Sequence, residues 1–268
     1  MGWPVAQSRS PALHNFWFAQ YKLKGTYVPL AVSPKRLERA LRALPALNFS
    51  GCNLTIPLKQ DAMAIVDEVD ETAKAIGAIS CVIAREDGSL KGTNNDWYGF
   101  THNILEFVPE WRGDEGPAVV IGAGGGARAV IYGLLRRGAR EVRICNRTFA
   151  RAQALADTFG PIAKAIPWNE RHNALDGAAI LINTTSQGMA GQPPLDLSLD
   201  RLPVAALVND IVYNPRETPL LAAARARGNR IVTGLGMLLH QGVPAWQAWF
   251  GIEPKVTPEL RAAIEATL

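Results

Sequence analysis

The first hundred residues alternate between helical and strand-like spacing of their apolar positions. Ser10-Pro11 and Ser33-Pro34 each combine a capping serine with a proline suited to the first position of a helix, and apolar residues at helical spacing follow both pairs. Short apolar runs typical of strands occupy residues 27–32, 52–56 and 79–84. Because strands and helices alternate, the pattern predicts a mostly parallel sheet in this part of the chain.

The second half of the chain repeats the alternation more clearly. A proline and glycine cluster at residues 113–117 precedes it and predicts a domain boundary. From Leu235 onward the spacing predicts helix, turn and helix. The length of 268 residues fits an α/β protein of two domains. Predicted strands lie at 118–121, 141–145, 179–183, 206–212 and 230–232, and predicted helices at 149–159 and 219–227.

Composition excludes several classes of protein. Hydrophobic residues make up 48% of the chain and charged residues 19%, and no long apolar run or basic leader occurs, so the sequence predicts a cytoplasmic protein without a membrane span. The net charge of +4 is scattered, which argues against nucleic-acid binding. Cys52, Cys81 and Cys145 each lie in an apolar segment, so we expect buried, reduced thiols and no metal site.

A glycine-rich turn follows the apolar run at 118–121. Gly122, Gly124 and Ala127 fit the G-x-G-x-x-A pattern, in which the glycines allow a tight turn and close approach of pyrophosphate to the start of a helix. The alternative is a tight strand-to-helix turn without a ligand. The preceding strand and the following helix favour the dinucleotide interpretation, whose predicted contacts are Gly122, Ala123, Gly124, Gly125, Gly126 and Ala127.

The end of the next predicted strand indicates which dinucleotide binds. NAD-binding chains carry an acidic residue there, whereas this chain has Asn146-Arg147-Thr148, with Arg151 one helical turn further on. Guanidinium groups pair well with phosphate oxygens, so the sequence favours NADP, with its 2′-phosphate, over NAD. The alternative for Arg151 is a solvated charge on a helix.

Polar residues in the first half form two candidate groups for binding a ligand. Ser8 and Ser10 precede a predicted helix, whose N-terminus suits a carboxylate; considered alone, Ser10 is better explained as an ordinary cap. Asn53 and Thr55 share one face of a predicted strand, and Cys52, Leu54 and Ile56 share the buried face.

Lys59 and Asp96 are the candidates for proton transfer. Lys59 follows Pro57 at the predicted start of a helix, and Asp96 ends the polar sequence Asn94-Asn95-Asp96 ahead of another. A carboxylate beside the lysine would hold its ammonium group in place, as proton transfer requires. Taken singly, Lys59 is better explained as a solvated lysine and Asp96 as a helix cap.

Together these segments resemble the shikimate dehydrogenases over nearly the whole chain. The resemblance implies a substrate domain of residues 1–96 and 235–268, a Rossmann-like NADP domain of residues 97–234 and an active site in the cleft. The family normally has a full strand first, so we expect that the start of this chain is either truncated or assigned too late. The matching segments are Gly2-Trp3-Pro4, Ser8-Arg9-Ser10-Pro11, 53–59, 92–96 with Gly99, 122–127, 146–148 and 234–237.

The resemblance also implies roles for individual residues. Lys59 and Asp96 would be the catalytic pair in the interconversion of shikimate and 3-dehydroshikimate, a step of aromatic amino acid biosynthesis. Substrate contacts would come from Ser8, Ser10, Asn53, Thr55, Ser80, Asp96, Tyr213 and Gln241. Nicotinamide contacts would come from Glu71, Thr184, Thr185, Ser186, Ile211 and Gly234. The resemblance leaves monomer and homodimer open.

Departures from the family pattern leave the substrate open. Ser80 stands where asparagine is usual, and Asn95 replaces the usual threonine beside Asp96. Quinate or an amino analogue of shikimate is therefore the alternative substrate. A non-catalytic NADP-binding regulator is a different class, and the presence of both Lys59 and Asp96 argues against it.

Overall fold

The computed structural model describes all residues, 1–268, which form two compact units. Unit 1 contains Met1–Gly99 and Leu238–Thr267, and unit 2 contains Phe100–Met237 with Leu268. The boundaries fall inside two helices, α4 (Asp96–Phe107) and α8 (Leu235–Phe250). None of the helices has both the length and the apolar character needed to cross a membrane.

Unit 1 contains a four-stranded sheet in the order β1-β3-β4-β2, in which only the β2–β4 pair is parallel. The predicted mostly parallel sheet is therefore wrong for this unit. A tight turn at Asp87 and Gly88, where Gly88 has φ +84°, joins β3 to β4 as a hairpin, and a hairpin is antiparallel. The elements are α1 (Ser10–Gln20), α2 (Leu37–Arg42), β1 (Gly51–Asn53), β2 (Glu68–Val69), α3 (Glu71–Ile76), β3 (Cys81–Ala84), β4 (Leu90–Thr93) and α9 (Pro258–Glu265).

The strand predicted at residues 27–32 is not formed. It makes a single bridge, between Ala31 and Gly2. On the other side, the amino group of Met1 donates to the carbonyl of Asn53 at 2.6 Å. The segment thus pairs with the backbone of Gly2, and a cavity of about 430 Å³ is lined by residues of both this segment and β1. Its lining includes His14, Tyr27, Leu30, Cys52, Trp246 and Trp249.

The strand predicted at residues 52–56 is shorter than expected. β1 ends at Asn53, and Ile56 is 72% exposed, so the predicted burial of Ile56 is wrong. Cys52 and Leu54 are buried as predicted. Pro57 has no amide hydrogen to donate, so a strand cannot continue with ladder hydrogen bonds at that position.

Unit 2 is a six-stranded parallel sheet in the order β10-β9-β8-β5-β6-β7. Alternate residues of β5 enter different core clusters: Ala118 and Val120 in one, Val119 and Ile121 in the other. Both faces of the sheet are thus covered, which confirms the predicted α/β class with a Rossmann-like unit. The remaining elements are β5 (Ala118–Ile121), α5 (Gly125–Arg136), β6 (Val142–Cys145), α6 (Phe149–Phe159), β7 (Ala163–Ile166), β8 (Ile180–Asn183), β9 (Leu207–Asp210), α7 (Pro219–Ala226) and β10 (Arg230–Val232).

Candidate active site

Unit 1 brings Lys59 and Asp96 together. The Lys59 Nζ donates a hydrogen bond to Asp96 Oδ2, and their side chains are only 16% and 3% exposed. Lys59 lies in a turn, because the expected helix is only a short 3-10 helix that begins at Asp61. Asp96 is the first residue of α4, where the positive end of the helix dipole favours a carboxylate. A lysine and a carboxylate held in this way can exchange and orient a proton.

Backbone and amide contacts hold this pair in place. Asn94 Oδ1 accepts a hydrogen bond from the Asp96 N–H at 3.0 Å, and Asn94 Nδ2 donates to the carbonyl of Ala78 at 2.8 Å. On the lysine side, the carbonyl of Lys59 accepts from the Ile79 N–H at 2.8 Å. Asn94 therefore binds the first N–H of α4, and the Asp96 carboxylate is directed to Lys59. The sequence reasoning missed this role of Asn94.

Asn53, the last residue of β1, lies next to Ser80, which immediately precedes β3. Asn53 Nδ2 donates to the Ser80 carbonyl at 3.4 Å, and Asn53 Oδ1 accepts from the Tyr27 hydroxyl at 3.0 Å. Ser80 is 1% exposed, and its Oγ accepts from the Asn95 N–H at 2.8 Å. Ser80 thus supports the Asn94–Asp96 turn. Thr55, half-buried, follows Asn53 by two positions.

Ser8 and Ser10 lie at the N-terminus of α1. The helix begins at Ser10, and Ser8 Oγ accepts a hydrogen bond from the Ser10 N–H at 3.3 Å. Ser10 is therefore the first helical residue and not its cap, which corrects the simpler interpretation of this residue. Two hydroxyls at the N-terminus of an eleven-residue helix suit an anionic group.

Two further predicted site residues of unit 1, Gln241 and Glu71, lie in other helices. Gln241 lies in α8 and is half-buried. Glu71 begins α3, and its side chain is 90% exposed and forms an ion pair with Lys74 at 2.7 Å. Glu71 is thus accessible to a ligand, and its ion pair with Lys74 is exposed to solvent.

The glycine-rich turn of unit 2 has the geometry that a pyrophosphate needs. Gly122 has φ +110°, a conformation that L residues rarely adopt, and a Cβ at this position would lie 2.6 Å from Thr184 Oγ1. A Cβ at Gly124 would meet nothing within 4 Å, so space is open in front of α5. Ala127 is fully buried, which lets helix and strand pack closely. These features fit a phosphate group at the start of α5.

Several predicted cofactor residues gather at the carboxyl edge of the sheet in unit 2. Thr184 Oγ1 donates to the carbonyl of Ile121 at 2.7 Å, which joins the ends of β8 and β5. Ile211 approaches the start of α5, since a Cβ on Gly126 would lie 3.0 Å from its Cδ1. The backbone of Gly234 packs against the Ile211 carbonyl without room for a side chain. Thr185, Ser186 and Tyr213 follow β8 and β9 at the same edge.

The residues after β6 offer positive charge to a ligand. Arg147 and Arg151 are exposed, and neither guanidinium has a carboxylate partner. Asn146 Nδ2 donates to the Thr148 carbonyl at 2.9 Å, and Thr148 is the residue that precedes α6. Two uncompensated guanidinium groups beside a helix N-terminus can bind a phosphate, but they cannot replace the ribose-binding carboxylate of an NAD site.

The sequence reasoning missed a buried polar network at this edge. Asp210 Oδ1 accepts from Asn183 Nδ2 at 3.0 Å and from the Val212 N–H at 3.0 Å, and Asp210 Oδ2 accepts from Thr218 Oγ1 at 2.7 Å. Burial outweighs these hydrogen bonds and raises the pKa of Asp210 to about 6. A signal was available, because polar residues end two strands that begin apolar: Asn183 ends β8, and Asn209 and Asp210 end β9.

A parallel sheet with a glycine turn at a helix N-terminus and two exposed arginines after β6 is typical of a dinucleotide-binding protein of the Rossmann type. Family models extend this conclusion to the rest of the chain. They match the shikimate dehydrogenase substrate binding domain at residues 1–82, shikimate / quinate 5-dehydrogenase at 112–190 and the shikimate 5′-dehydrogenase C-terminal domain at 234–264. The chain belongs to the shikimate dehydrogenase family, as its sequence predicted.

Individual relatives agree with this assignment. The shikimate dehydrogenase (NADP(+)) of Rhodospirillum rubrum is 53% identical over 98% of this chain and 95% of that protein. The shikimate 5-dehydrogenase of Thermus thermophilus, solved with NADP(H) and shikimate, has a TM-score of 0.88 and 36% identity, covering 100% of this chain and 97% of that one. The quinate dehydrogenase of Corynebacterium glutamicum, solved with NAD, has a TM-score of 0.90 and 31% identity, covering 99% and 96%.

Proposed function

We propose that this chain catalyses the reversible, NADP-dependent oxidoreduction of shikimate and 3-dehydroshikimate in the biosynthesis of aromatic amino acids. The hydrogen bond between Lys59 and Asp96 carries the proposal, because a buried ammonium and carboxylate in a polar site serve proton transfer to and from a hydroxyl. The relatives named above supply the substrate and the cofactor by similarity. As a step of biosynthesis, the reaction belongs in the cytoplasm, with a monomer or a homodimer as the active form.

Lys59 and Asp96 would perform the acid-base part of the reaction. When NADPH is bound, it supplies a hydride to the carbonyl carbon of the substrate. The Lys59 ammonium then gives a proton to the developing alkoxide, which becomes the hydroxyl of shikimate. In the oxidative direction the neutral Lys59 amine accepts that proton. Asp96 accepts hydrogen bonds from the lysine and from the hydroxyl, so it orients both groups.

The remaining polar residues of the substrate site would bind and orient the ring. Ser8 and Ser10 at the start of α1 would hold the carboxylate, because two hydroxyls and the helix N-terminus all favour an anion. The side chains proposed to contact the ring hydroxyls or the carboxylate are Asn53, Thr55, Ser80, Asp96, Tyr213 and Gln241. We assign the substrate to residues 1–96 and 235–268, which include all of these except Tyr213.

Three observations support the binding of NADP by residues 97–234. Gly124 leaves open space before α5 for the pyrophosphate, and Arg147 and Arg151 have no competing carboxylate. Gly234 packs tightly on Ile211, so only a residue without a side chain is accommodated there. Residues 122–127 would bind the pyrophosphate, and Asn146, Arg147, Thr148 and Arg151 the 2′-phosphate. Residues near the nicotinamide would be Glu71, Thr184, Thr185, Ser186, Ile211 and Gly234.

Quinate is the second candidate substrate, and the presence of Ser80 is the observation that supports it. The Ser80 hydroxyl already accepts a hydrogen bond from the Asn95 N–H and has only its own proton to donate. A longer amide side chain at this position would reach further into the site and offer two donors. We therefore expect Ser80 to form different hydrogen bonds with the ring hydroxyls from those that the family's usual asparagine would form.

Reduction of NADP by the purified chain tests this proposal. We expect turnover with shikimate and NADP, monitored by NADPH absorbance, and a loss of about 10²-fold or more in kcat for Lys59→Ala. Lys35→Ala is the matched control, since Lys35 is an exposed lysine of the same unit. Parallel assays use quinate and NAD. Preference for quinate would replace shikimate by the second candidate, and absence of turnover with every pair would favour a non-catalytic NADP-binding regulator.

A further inference from the structure

The two polar contacts of the Asn53 side chain determine which way its amide faces. Its Nδ2 points to the carbonyl of Ser80 at 3.4 Å, and a carbonyl can only accept a hydrogen bond. Its Oδ1 therefore points to the Tyr27 hydroxyl, which donates to it at 3.0 Å. One N–H of Nδ2 and one lone pair of Oδ1 are left for a ligand.

Tyr27 is held in place by its neighbour Asn15. Asn15 Oδ1 accepts from the Tyr27 N–H at 2.8 Å, and Asn15 Nδ2 donates to the Tyr27 carbonyl at 3.0 Å. A single amide side chain thus binds both polar groups of the Tyr27 backbone. Burial raises the pKa of the Tyr27 phenol, so its hydroxyl stays neutral and remains a donor.

The ring of Tyr27 is fixed by a second contact from α1. It stacks on His14 with ring centroids 4.2 Å apart and an interplanar angle of 8°. His14 Nδ1 in turn accepts from the indole N–H of Trp246 at 2.7 Å. Burial lowers the pKa of His14 to about 3, so the imidazole stays neutral and Nδ1 stays an acceptor at physiological pH.

We propose that Tyr27 is a positioning residue for substrate recognition, which acts through Asn53. Its hydroxyl fixes the Asn53 amide so that an N–H donor faces a ring hydroxyl of the substrate. Without that hydrogen bond the amide can rotate, and ligand binding has to include the cost of ordering it. The inference rests on the proposed function, because the contact between Asn53 and substrate belongs to it.

Helix α1 thereby serves both ends of the substrate. Its N-terminus presents Ser8 and Ser10, the residues proposed for the carboxylate. His14 and Asn15, one turn further along, orient Tyr27 and so the residue proposed for a ring hydroxyl. A rigid element that sets both contacts fixes the distance between carboxylate and hydroxyl that a substrate must match.

A double-mutant cycle tests this role. Tyr27→Phe keeps the stacking on His14 and the backbone bonds to Asn15 and removes only the hydroxyl. We expect the KM for shikimate to rise about fivefold, as for the loss of one hydrogen bond, with kcat within about twofold and the KM for NADP unchanged. In an Asn53→Ala background the same substitution is expected to change the KM for shikimate by less than about twofold.

Tyr21→Phe is the matched control, because the Tyr21 hydroxyl also lies in unit 1 and accepts from the Lys255 N–H at 3.2 Å. It should leave both KM values unchanged. The inference about Tyr27 would be overturned if Tyr27→Phe left the KM for shikimate unchanged, or if it raised that KM equally in the Asn53 and Asn53→Ala backgrounds. In either case, shikimate turnover by the unsubstituted chain would still uphold the proposed function. Absence of that turnover would overturn both.

Discussion

Lys59 and Asp96 form a hydrogen-bonded ion pair although 37 positions separate them in the chain. Asp96 is 2% exposed and lies at the start of α4. Lys59 lies in a turn, and its carbonyl accepts a hydrogen bond from the backbone N–H of Ile79. A pair that is largely removed from water depends on each partner, because an unpaired buried charge is costly. Substitution of either residue is therefore expected to affect both the proposed activity and the stability.

Replacement of Asp96 by asparagine keeps the size of the side chain and removes its charge. We expect kcat with shikimate to fall by about 10²-fold or more, because the lysine loses the group that orients it for proton transfer. The unfolding free energy should fall by roughly 3 kcal/mol, since the Lys59 ammonium is left buried without its counter-charge. Steady-state kinetics and urea denaturation measure the two effects.

The double variant Lys59→Met with Asp96→Asn is the control for the stability effect. It removes both charges, so it should be more stable than Asp96→Asn alone while remaining inactive. Equal stability of the single and double variants would show that the ion pair does not contribute to folding as proposed.

Gly122 and Gly124 should respond oppositely to alanine. An alanine at Gly124 meets no protein atom within 4 Å and keeps an extended backbone, so stability should change by less than about 1 kcal/mol. Its methyl group would face the pyrophosphate, and we expect the KM for NADP to rise at least about tenfold. Gly122→Ala, with φ +110° and a contact to Thr184, should instead lose about 1–3 kcal/mol of stability. Thermal unfolding and cofactor titration distinguish the two; a destabilised Gly124→Ala would contradict the assignment of open space there.

Arg147 and Arg151 should determine the preference for NADP over NAD. Charge-assisted hydrogen bonds contribute about 1.5–3 kcal/mol each, so alanine at both positions should lower kcat/KM with NADP by about 10²-fold or more. The value with NAD should change little, because NAD lacks the 2′-phosphate. Arg136→Ala serves as the control, since Arg136 is exposed in the same unit. A parallel loss with both cofactors would contradict binding of the 2′-phosphate.

Most of unit 2 could be predicted from the sequence because its central strands β5, β8 and β9 are buried on both faces, whereas the partly exposed edge strand β7 was missed. The predicted strands at 118–121 and 230–232 and the helix at 149–159 have the observed bounds. A continuous apolar run followed by glycines has few alternatives in a parallel sheet. The local pattern and the tertiary structure therefore agree, and the position of the glycine turn follows directly.

Unit 1 was harder to predict because its contacts are long-range. Alternation of strands and helices suggested parallel pairing, but the turn at Asp87 and Gly88 makes β3 and β4 a hairpin. The role of Tyr27 could not be foreseen, since its hydroxyl contacts a residue 26 positions away and its ring contacts one on α1. Such contacts leave no periodic signal in the sequence.

Asp210 should make the stability of the protein depend on pH. Its pKa is raised from 3.8 to about 6 by burial, so the folded state keeps this carboxyl protonated at pH values where the unfolded state has already lost the proton. The favourable contribution to the free energy of unfolding is complete below about pH 4 and is lost as the pH rises through about 6, a change of roughly 3 kcal/mol.

In Asp210→Asn this pH-dependent component is absent, and the amide can still bond to Thr218 and Asn183. Subtracting the unfolding free energies of the variant from those of the unsubstituted chain at each pH isolates the component, which should decrease between pH 4 and 7. A flat difference between the variant and the unsubstituted chain would mean that the Asp210 carboxylate stays ionised throughout this range.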